Sequence, residues 1–425
     1  MKINTLELTN VRGFTYATLK FQPGFNLIVG INGVGKTTVL ESLRIVLSHL
    51  LSEITISKNR KESFNALDIQ LGKDNLQLNA NISIEDEDVD FLISKQKEII
   101  KKIDTEDIRA QTYQINDSIY FKQEISKKYK LKKNQPLGIY YSSHRSLMTE
   151  EKPSKNQIVG GQAVAFADAL NTKREFAIRI FADWLKVQEE LSKENPKILK
   201  TIEAIKGAIY KFLPGFKNLE VITDERTGLN VFLIEKAGEK LNFYMLSDGE
   251  RSVLTLVFDI SRRLIIANTD IKDPLNGEAV ILIDELDLHL HPKWQRTIVS
   301  DLSRTFPNCQ FIATTHSPQI IGEVKAEAIS IIDRDKAEVV YKPEISFGAD
   351  AQRILEELLD VPIRNEGINE VFEELNKAVD AEKFEHSKEI IEALKKYLGE
   401  ADPELLRINS MIQFLENDLD DEKDN

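Results

Sequence analysis

The sequence has very little cysteine and no long apolar run, and both shortages narrow the kinds of protein it can encode. Cys309 is the single cysteine among 425 residues, so an internal disulfide is excluded and a reducing compartment is indicated. The apolar segments are shorter than the roughly 20 residues that a membrane-spanning helix needs. The first ten residues, MKINTLELTN, alternate in polarity as a strand does and do not resemble a signal sequence. We therefore expect a cytoplasmic protein with no membrane partner.

Sequence repeats are also absent, which excludes repeat proteins and proteins with an extended coiled coil. No repeat of fixed period is visible, and no heptad pattern is long enough for an extended coiled coil. Hydrophobic residues make up 42% of the chain, which is enough for a sizeable core. A length of 425 residues predicts two or three domains, or one large domain with insertions.

The net charge of −13 is unevenly distributed. Residues 351–425 hold nine Lys and Arg against twenty-one Asp and Glu, a balance of −12, so the rest of the chain is nearly neutral. Residues 122–133, KQEISKKYKLKK, contain six lysines and could contact a nucleic-acid backbone. A solvated loop explains this run more simply, so direct DNA binding stays an open alternative.

A glycine-rich turn between a predicted strand and a predicted helix is the strongest chemical signal. Residues 25–29 are an apolar run typical of a buried strand, and residues 37–47 have helical apolar spacing. The turn between them reads Gly-x-x-x-x-Gly-Lys-Thr from Gly30 to Thr37. Such a turn presents backbone N–H groups to phosphate oxygens, while the lysine adds a positive charge and the threonine a magnesium ligand. The predicted phosphate-binding residues are Asn32, Gly33, Val34, Gly35, Lys36, Thr37 and Thr38.

Further strands are predicted around this loop. Residues 2–8 and 18–29 flank a turn that would hold Arg12 near the phosphates, although an ordinary surface arginine fits equally well. Residues 76–84 alternate apolar and polar, which predicts an antiparallel side sheet with one solvated face. Residues 162–213 are helical by pattern, with Trp184 and its neighbouring phenylalanines expected in the core.

Three later stretches carry polar side chains of the kinds found in binding and catalytic sites. Ser247, Gly249 and Glu250 precede an apolar helix, where a simple helix cap fits as well as a binding site. An apolar strand at 279–283 ends in Asp284 and Glu285; the first can hold Mg²⁺ and the second can take a proton from an attacking water. A third strand ends at His316, which would more often be structural if it stood alone.

In this order and spacing, the motifs resemble the ABC-type ATPase heads of the SMC and RecF class. The resemblance implies a Walker A motif at residues 30–37, a signature at 246–250, a Walker B motif at 280–284 and a D-loop at 286–292. It also implies Glu285 as the catalytic base, His316 as the switch histidine, ATP and Mg²⁺ as cofactors, and a homodimer of heads or a higher homo-oligomer. The expected fold is an α/β P-loop head with an antiparallel side sheet and a helical lobe, over residues 1–345 with a helical, charged insertion at about 86–225.

Two departures from the family pattern stand out. The signature has Asp248 and Glu250 where ABC transporters have glycine and glutamine. The strand that should lead to a Q-loop glutamine ends instead in Ser142, Ser143, His144 and Arg145, so that no Q-loop residue is assigned.

The C-terminal region, residues 346–425, contains FGADAQRIL at 347–355, VPIR at 361–364 and amphipathic pieces to Leu415. In this pattern it resembles the C-terminal part of the PtuA-type ATPases of Septu and retron-linked phage-defence systems. Its short amphipathic segments must pack on one another or on something else, and its acidity suits a basic protein surface better than DNA. The resemblance implies an antiviral ATPase that senses nucleotide for a partner, an HNH-type nuclease docked by this region. The alternatives are a tail that packs inward on the head, a RecF-like repair ATPase, and a nucleotide-binding scaffold without hydrolysis.

Overall fold

The computed structural model describes residues 1–57, 60–85, 87–102, 111–120, 129–130, 132–143, 161–174, 178–333, 339–362 and 364–423. The chain divides into two compact units, Met1–Ile354 and Leu355–Asn425. No helix within the described ranges is both long and apolar enough to cross a membrane. Most of the basic run at 122–133, together with His144 and Arg145, lies outside the described residues.

The strands of the described chain all belong to the first unit. In chain order they are β1 (Lys2–Val11), β2 (Phe14–Lys20), β3 (Phe25–Val29), β4 (Asn75–Ile84), β5 (Glu87–Lys102), β6 (Gln111–Tyr120), β7 (Leu137–Tyr141), β8 (Phe216–Thr223), β9 (Asn230–Lys236), β10 (Glu239–Asn242), β11 (Ala279–Ile283), β12 (Cys309–Thr314), β13 (Ile329–Ile332) and β14 (Val340–Tyr341).

The helices continue into the second unit. In chain order they are α1 (Lys36–Ile54), α2 (Ile178–Ser192), α3 (Pro196–Phe212), α4 (Asp248–Ala267), α5 (Pro292–Gln295), α6 (Ile298–Thr305), α7 (Pro318–Ile321), α8 (Ala351–Leu359), α9 (Glu366–Asp380), α10 (Phe384–Leu398) and α11 (Pro403–Lys423).

A six-stranded sheet with order β14-β13-β3-β12-β11-β7 forms the centre of the first unit, and only β14 in it is antiparallel. Strands β3, β7, β11 and β12 are buried at every position, as expected for parallel strands covered on both faces. Their carboxyl ends meet at one edge of the sheet, where open α/β folds bind ligands. Cys309 is buried in β12 as a small apolar side chain, and burial raises the pKa of its thiol.

An antiparallel sheet with order β2-β1-β4-β5-β6 lies in the same unit and contains the side strand predicted at residues 76–84. Part of the segment expected to be a helical, charged insertion forms β5 and β6 instead. In β5, Val89, Phe91 and Ile93 are buried and alternate with more exposed residues. This period of two places the apolar side chains on the core face, where Lys95 is also buried, while Asp88 and Asp90 lie on the exposed face.

The predicted helical region at 162–213 is interrupted. Asn195 caps α3 by accepting a hydrogen bond from the Lys197 backbone, and Pro196 occupies its first turn, so that α2 and α3 are separate helices. Phe181 and Trp184 of α2 pack against Phe258 of α4, and their ring centroids lie 5.1 and 6.1 Å from that of Phe258. The prediction of an aromatic core stripe is confirmed for the buried Phe181, while Trp184 is partly buried and Phe176 lies outside the described residues. A small antiparallel sheet, β10-β9-β8, completes this region.

The second unit has its own apolar core, built from helices α9, α10 and α11. The contacts join residues that the sequence placed on separate amphipathic faces, so these short segments pack on one another. The buried members are Phe372, Leu375, Ala378, Val379, Ile390, Ile391, Leu394, Leu405, Ile408 and Ile412. Arg364 closes the unit by donating to both carboxylate oxygens of Asp402 at 3.0 Å.

Candidate nucleotide site

The turn between β3 and α1 has the backbone geometry of a phosphate loop. Gly30, Gly33 and Gly35 have φ angles of 152°, 78° and 118°, a region that other residues rarely adopt. A Cβ at Gly30 would lie 2.5 Å from the backbone oxygen of Ile332, so glycine is also required there by close packing. The sequence therefore folds into an open turn at the N-terminus of α1, where N–H groups can bind an anion.

Lys36 is held inside this turn. Its Nζ donates hydrogen bonds to the backbone oxygens of Gly30 and Ile31, at 2.8 and 2.9 Å. Burial lowers the pKa of Lys36 to about 8, while nearby Asp284 and Glu285 act in the opposite direction. The ammonium group is therefore charged at pH 7 and fixed beside the phosphate-binding amides.

Thr37 and Asp284 meet across the edge of the sheet. The Thr37 hydroxyl lies 3.1 Å from Oδ2 of Asp284, which is buried directly after β11. Hydroxyl and carboxylate oxygens are the hard ligands that Mg²⁺ prefers, so this pair suits a magnesium ion. The contact joins residues 247 positions apart in the chain.

Thr314, the last residue of β12, lies between these elements. Its hydroxyl donates to Asp284 Oδ1 at 2.6 Å and accepts from the Glu285 backbone N–H at 2.7 Å. The strand order explains the contact, because β12 separates β3 from β11. The sequence alone did not indicate a role for Thr314. The available signal was a hydroxyl side chain at the end of β12.

The segment after Glu285 is tied to the end of β12 by further hydrogen bonds. The Leu286 N–H donates to the Thr314 carbonyl at 2.8 Å. Asp287 accepts from the Thr315 hydroxyl at 2.5 Å and from the His316 N–H at 3.3 Å. The predicted D-loop and the predicted switch histidine are thus physically connected through Asp287.

His316 is partly buried at the same edge. Burial lowers the pKa of its imidazole and the charge of Lys36 lowers it further, against the influence of Asp287, Glu285 and Asp284. The imidazole is therefore neutral at pH 7, which leaves it one N–H donor and one acceptor.

Ser247 and Glu250 form a reciprocal cap at the start of α4. The Glu250 N–H donates to Ser247 Oγ at 3.4 Å, and the Ser247 N–H donates to Glu250 Oε2 at 3.0 Å. Burial would raise the pKa of Glu250, but hydrogen bonds from Lys236 and Ser247 lower it overall. The cap orients the N-terminus of α4 and is compatible with both interpretations of the motif.

Gly249 has a packing role that the sequence did not indicate. A Cβ at this position would lie 2.5 Å from the backbone oxygen of His289 and 3.1 Å from the Trp294 ring. His289 itself has a φ of 61°. The glycine therefore allows the signature segment to lie directly against the predicted D-loop.

Arg12 has a left-handed backbone conformation, with a φ of 49°. It lies near the N-terminus of α1, which follows the phosphate loop. Its guanidinium pairs with Glu41 at 2.6 Å and Asp68 at 2.8 Å, and approaches the Thr38 hydroxyl at 3.5 Å. The structure thus brings Arg12 next to the loop, with two carboxylates already bound to it.

A buried ionic cluster behind the site was missed by sequence reasoning. Asp259 of α4 accepts from the Tyr141 hydroxyl at 2.8 Å, from Arg174 at 2.6 Å and from Arg263 at 3.0 Å. The backbone oxygen of Tyr141 also accepts from the Asp284 N–H at 2.8 Å. The available signal was an acid, Asp259, four residues before a base, Arg263, in the largely apolar segment of α4.

Comparison with known proteins identifies a family and several relatives. The family described as "AAA domain, putative AbiEii toxin, Type IV TA system" matches residues 25–322, which contain the phosphate loop, Asp284, Glu285 and His316. The protein named Retron Ec83 probable ATPase, from Escherichia coli, is 26% identical over 100% of this chain and 89% of its own length. Septu protein PtuA of Bacillus thuringiensis is 25% identical over 93% of this chain and 92% of its own.

One solved structure, an SMC head bound to the C-winged helix domain of ScpA, covers 81% of this chain and 98% of its own. Its TM-score is 0.48 at 16% identity, so the fold assignment rests on the topology of the sheet described above. The predicted resemblance to PtuA-type ATPases is confirmed by the relatives, and the predicted α/β class is confirmed by the central parallel sheet.

Proposed function

Because the chain belongs to this AAA-domain family, whose description names the AbiEii toxin, we propose that it binds ATP with Mg²⁺ and hydrolyses the nucleotide. The observation that carries the proposal is the meeting of Thr37 with Asp284 beside a glycine turn that holds Lys36. A glycine turn that only joined a strand to a helix would require neither the lysine nor the facing carboxylate.

Each residue at this edge has a separate task. Bound Mg²⁺ supplies positive charge that neutralises the phosphates, and the Thr37 hydroxyl and Asp284 carboxylate are the groups that would hold it. Lys36 and the loop amides bind phosphate oxygens. Glu285 accepts a proton from the attacking water, and the neutral His316 offers a hydrogen bond to the terminal phosphate.

Glu285→Gln tests the assignment of the base. The amide has nearly the same shape but cannot accept the proton, so turnover should fall by about two to four orders of magnitude while ATP affinity persists. Glu327→Gln removes an exposed carboxylate outside the site and serves as the matched control. Wild-type turnover in Glu285→Gln would contradict the role, and tight ATP binding without any wild-type hydrolysis would indicate a scaffold.

We further propose that two heads close on ATP through the N-terminus of α4. A helix N-terminus carries partial positive charge, so the capped segment at Ser247 can stabilise a phosphate only by reaching one. In the resembled family it reaches the nucleotide of a second head. The assembly is then a homodimer or a higher homo-oligomer that forms when ATP is bound.

We also propose that the ATPase regulates a nuclease in defence against phage, with residues 346–425 as the docking region. The names of the retron and Septu relatives support this setting. In the second unit the buried apolar faces are already used by its own core. Among its described residues, the large apolar side chains left exposed are Val361 at 43%, Tyr397 at 81%, Leu406 at 50%, Met411 at 45% and Phe414 at 64%. Acidic residues around such apolar groups suit a basic protein surface.

The docking proposal predicts that an HNH-type nuclease binds the wild-type chain and is released by Leu406→Asp with Phe414→Asp. Co-purification after co-expression measures the loss, and ATP hydrolysis should stay within a few-fold of wild type. Leu67→Asp with Leu71→Asp changes two exposed leucines in the first unit and is the matched control. Equal recovery of the nuclease with both double variants would refute this surface, and salt-dependent binding of duplex DNA by the protein alone would favour a RecF-like repair role.

A further inference from the structure

Glu285 has an unfavourable backbone conformation that something must maintain. Its φ is 50°, in the left-handed region, which is energetically costly for a residue other than glycine. Glycine would remove this cost, but it would also remove the carboxylate. The conformation therefore persists because contacts on both sides of Glu285 hold it.

Two of those contacts come from one residue of the neighbouring strand, and the Leu288 N–H adds another by donating to the Glu285 carbonyl at 2.9 Å. Thr314 binds the Glu285 N–H through its hydroxyl at 2.7 Å and the Leu286 N–H through its carbonyl at 2.8 Å. The same hydroxyl donates to Asp284 Oδ1 at 2.6 Å. Because Thr314 is fully buried, these bonds form without competition from water.

The three contacts give the hydroxyl a specific chemical consequence. By donating to one oxygen of Asp284 it restricts rotation of the carboxylate, whose Oδ2 lies nearest the Thr37 hydroxyl. By accepting a hydrogen bond from the Glu285 N–H, it fixes the position of the backbone that carries the base. Partners of this kind that orient ligands without touching the metal commonly contribute 10- to 100-fold to metal affinity or activity.

We propose that Thr314 is a positioning residue that aligns the magnesium-binding Asp284 and the base Glu285 through one hydroxyl group. The inference rests on the proposed ATPase function and adds to it a residue on the strand between the two nucleotide-binding strands. A methyl group of the same shape cannot replace the hydroxyl, because it can neither donate to Asp284 nor accept from Glu285.

Thr314→Val is the principal test, since it exchanges the hydroxyl for a methyl group at nearly constant volume. At saturating ATP and Mg²⁺ the turnover should fall at least about tenfold, and half-maximal activity should need about 10- to 100-fold more Mg²⁺. A fluorescent ATP analogue should bind the variant within threefold of wild type in the presence of EDTA, but lose the Mg²⁺-dependent gain in affinity. Thr305→Val is the matched control, because the Thr305 hydroxyl is buried in α6 with no hydrogen-bond partner among the described residues.

A second pair keeps the proposal testable if Thr314→Val unfolds. Thr314→Ser and Thr314→Ala differ from each other only by the hydroxyl, so serine should restore turnover to within a few-fold of wild type and alanine should not. If valine and alanine both keep turnover and Mg²⁺ dependence within threefold of wild type, the positioning role is wrong. If wild type hydrolyses no ATP, the proposed function fails first, whereas hydrolysis that is lost in Glu285→Gln but kept in Thr314→Val overturns this inference alone.

Discussion

Substitution of Asp259, at the centre of the buried ionic cluster, is expected to destabilise the first unit strongly. Asp259 is 1% exposed and is surrounded by Arg174, Arg262 and Arg263, of which two donate to it directly. Asp259→Asn keeps the shape but leaves buried guanidinium groups without their anion. Breaking a buried ion pair in this way costs about 3–5 kcal/mol. With an unfolding entropy of about 2.1 cal/mol/K per residue over Met1–Ile354, that corresponds to a fall in Tm of about 4–7 °C.

The same cluster predicts a pH dependence. Burial would raise the pKa of Asp259, but Arg174 and Arg263 outweigh it and hold that pKa at about 2. Since the folded pKa is below the unfolded value of about 3.9, the stabilisation is complete above that pH and is lost as the pH falls toward 2. The shift corresponds to about 2 kcal/mol, so the difference in Tm between wild type and Asp259→Asn should shrink between pH 5 and pH 3.

Thermal unfolding followed by circular dichroism checks both effects. Glu190→Gln, which breaks an exposed pair with Lys193, should change Tm by no more than about 1–2 °C and is the control. Combining Asp259→Asn with Arg174→Gln should lose less than the sum of the single changes, because each removes the other's partner. A fall in Tm for Asp259→Asn no larger than the control, or strict additivity in the double variant, would refute the reasoning.

Two further predictions concern the start of α4. Ser247→Arg should leave ATP binding by one head intact and abolish ATP-dependent association in small-angle scattering; a variant that still dimerises with ATP would contradict the composite site. Gly249→Ala should lower Tm and weaken the same association, because its Cβ would lie 2.5 Å from the His289 oxygen. A Cβ added at Gly207 in α3 would meet no neighbouring group within 4 Å, so Gly207→Ala should be neutral or stabilise the protein by about 0.5–1 kcal/mol. Equal changes in Tm and in association for the two alanine variants would exclude the packing role of Gly249.

Features that depend on neighbouring residues could be predicted from the sequence. The phosphate loop is one, because its glycines and Lys36 act within a few residues of one another. The side strand β4 and the buried strands of the central sheet are others, since their patterns reflect which faces are covered. The resemblance to the SMC and RecF class followed from the order of such local motifs, and the resemblance to PtuA-type ATPases followed from the pattern of residues 346–425 and is confirmed by the relatives.

Contacts between segments that are distant in the sequence were determined by the tertiary structure alone. The many charged residues of β5 obscured its strand pattern, in which alternate residues face the core. The apolar faces of α9, α10 and α11 pack against one another. Thr314 contacts Asp284 only because β12 lies between β3 and β11, and Asp259 meets Tyr141 across 118 residues of sequence. Periodicity reports which side of an element is buried, whereas the partner on that side depends on strand order and packing, which no local pattern encodes.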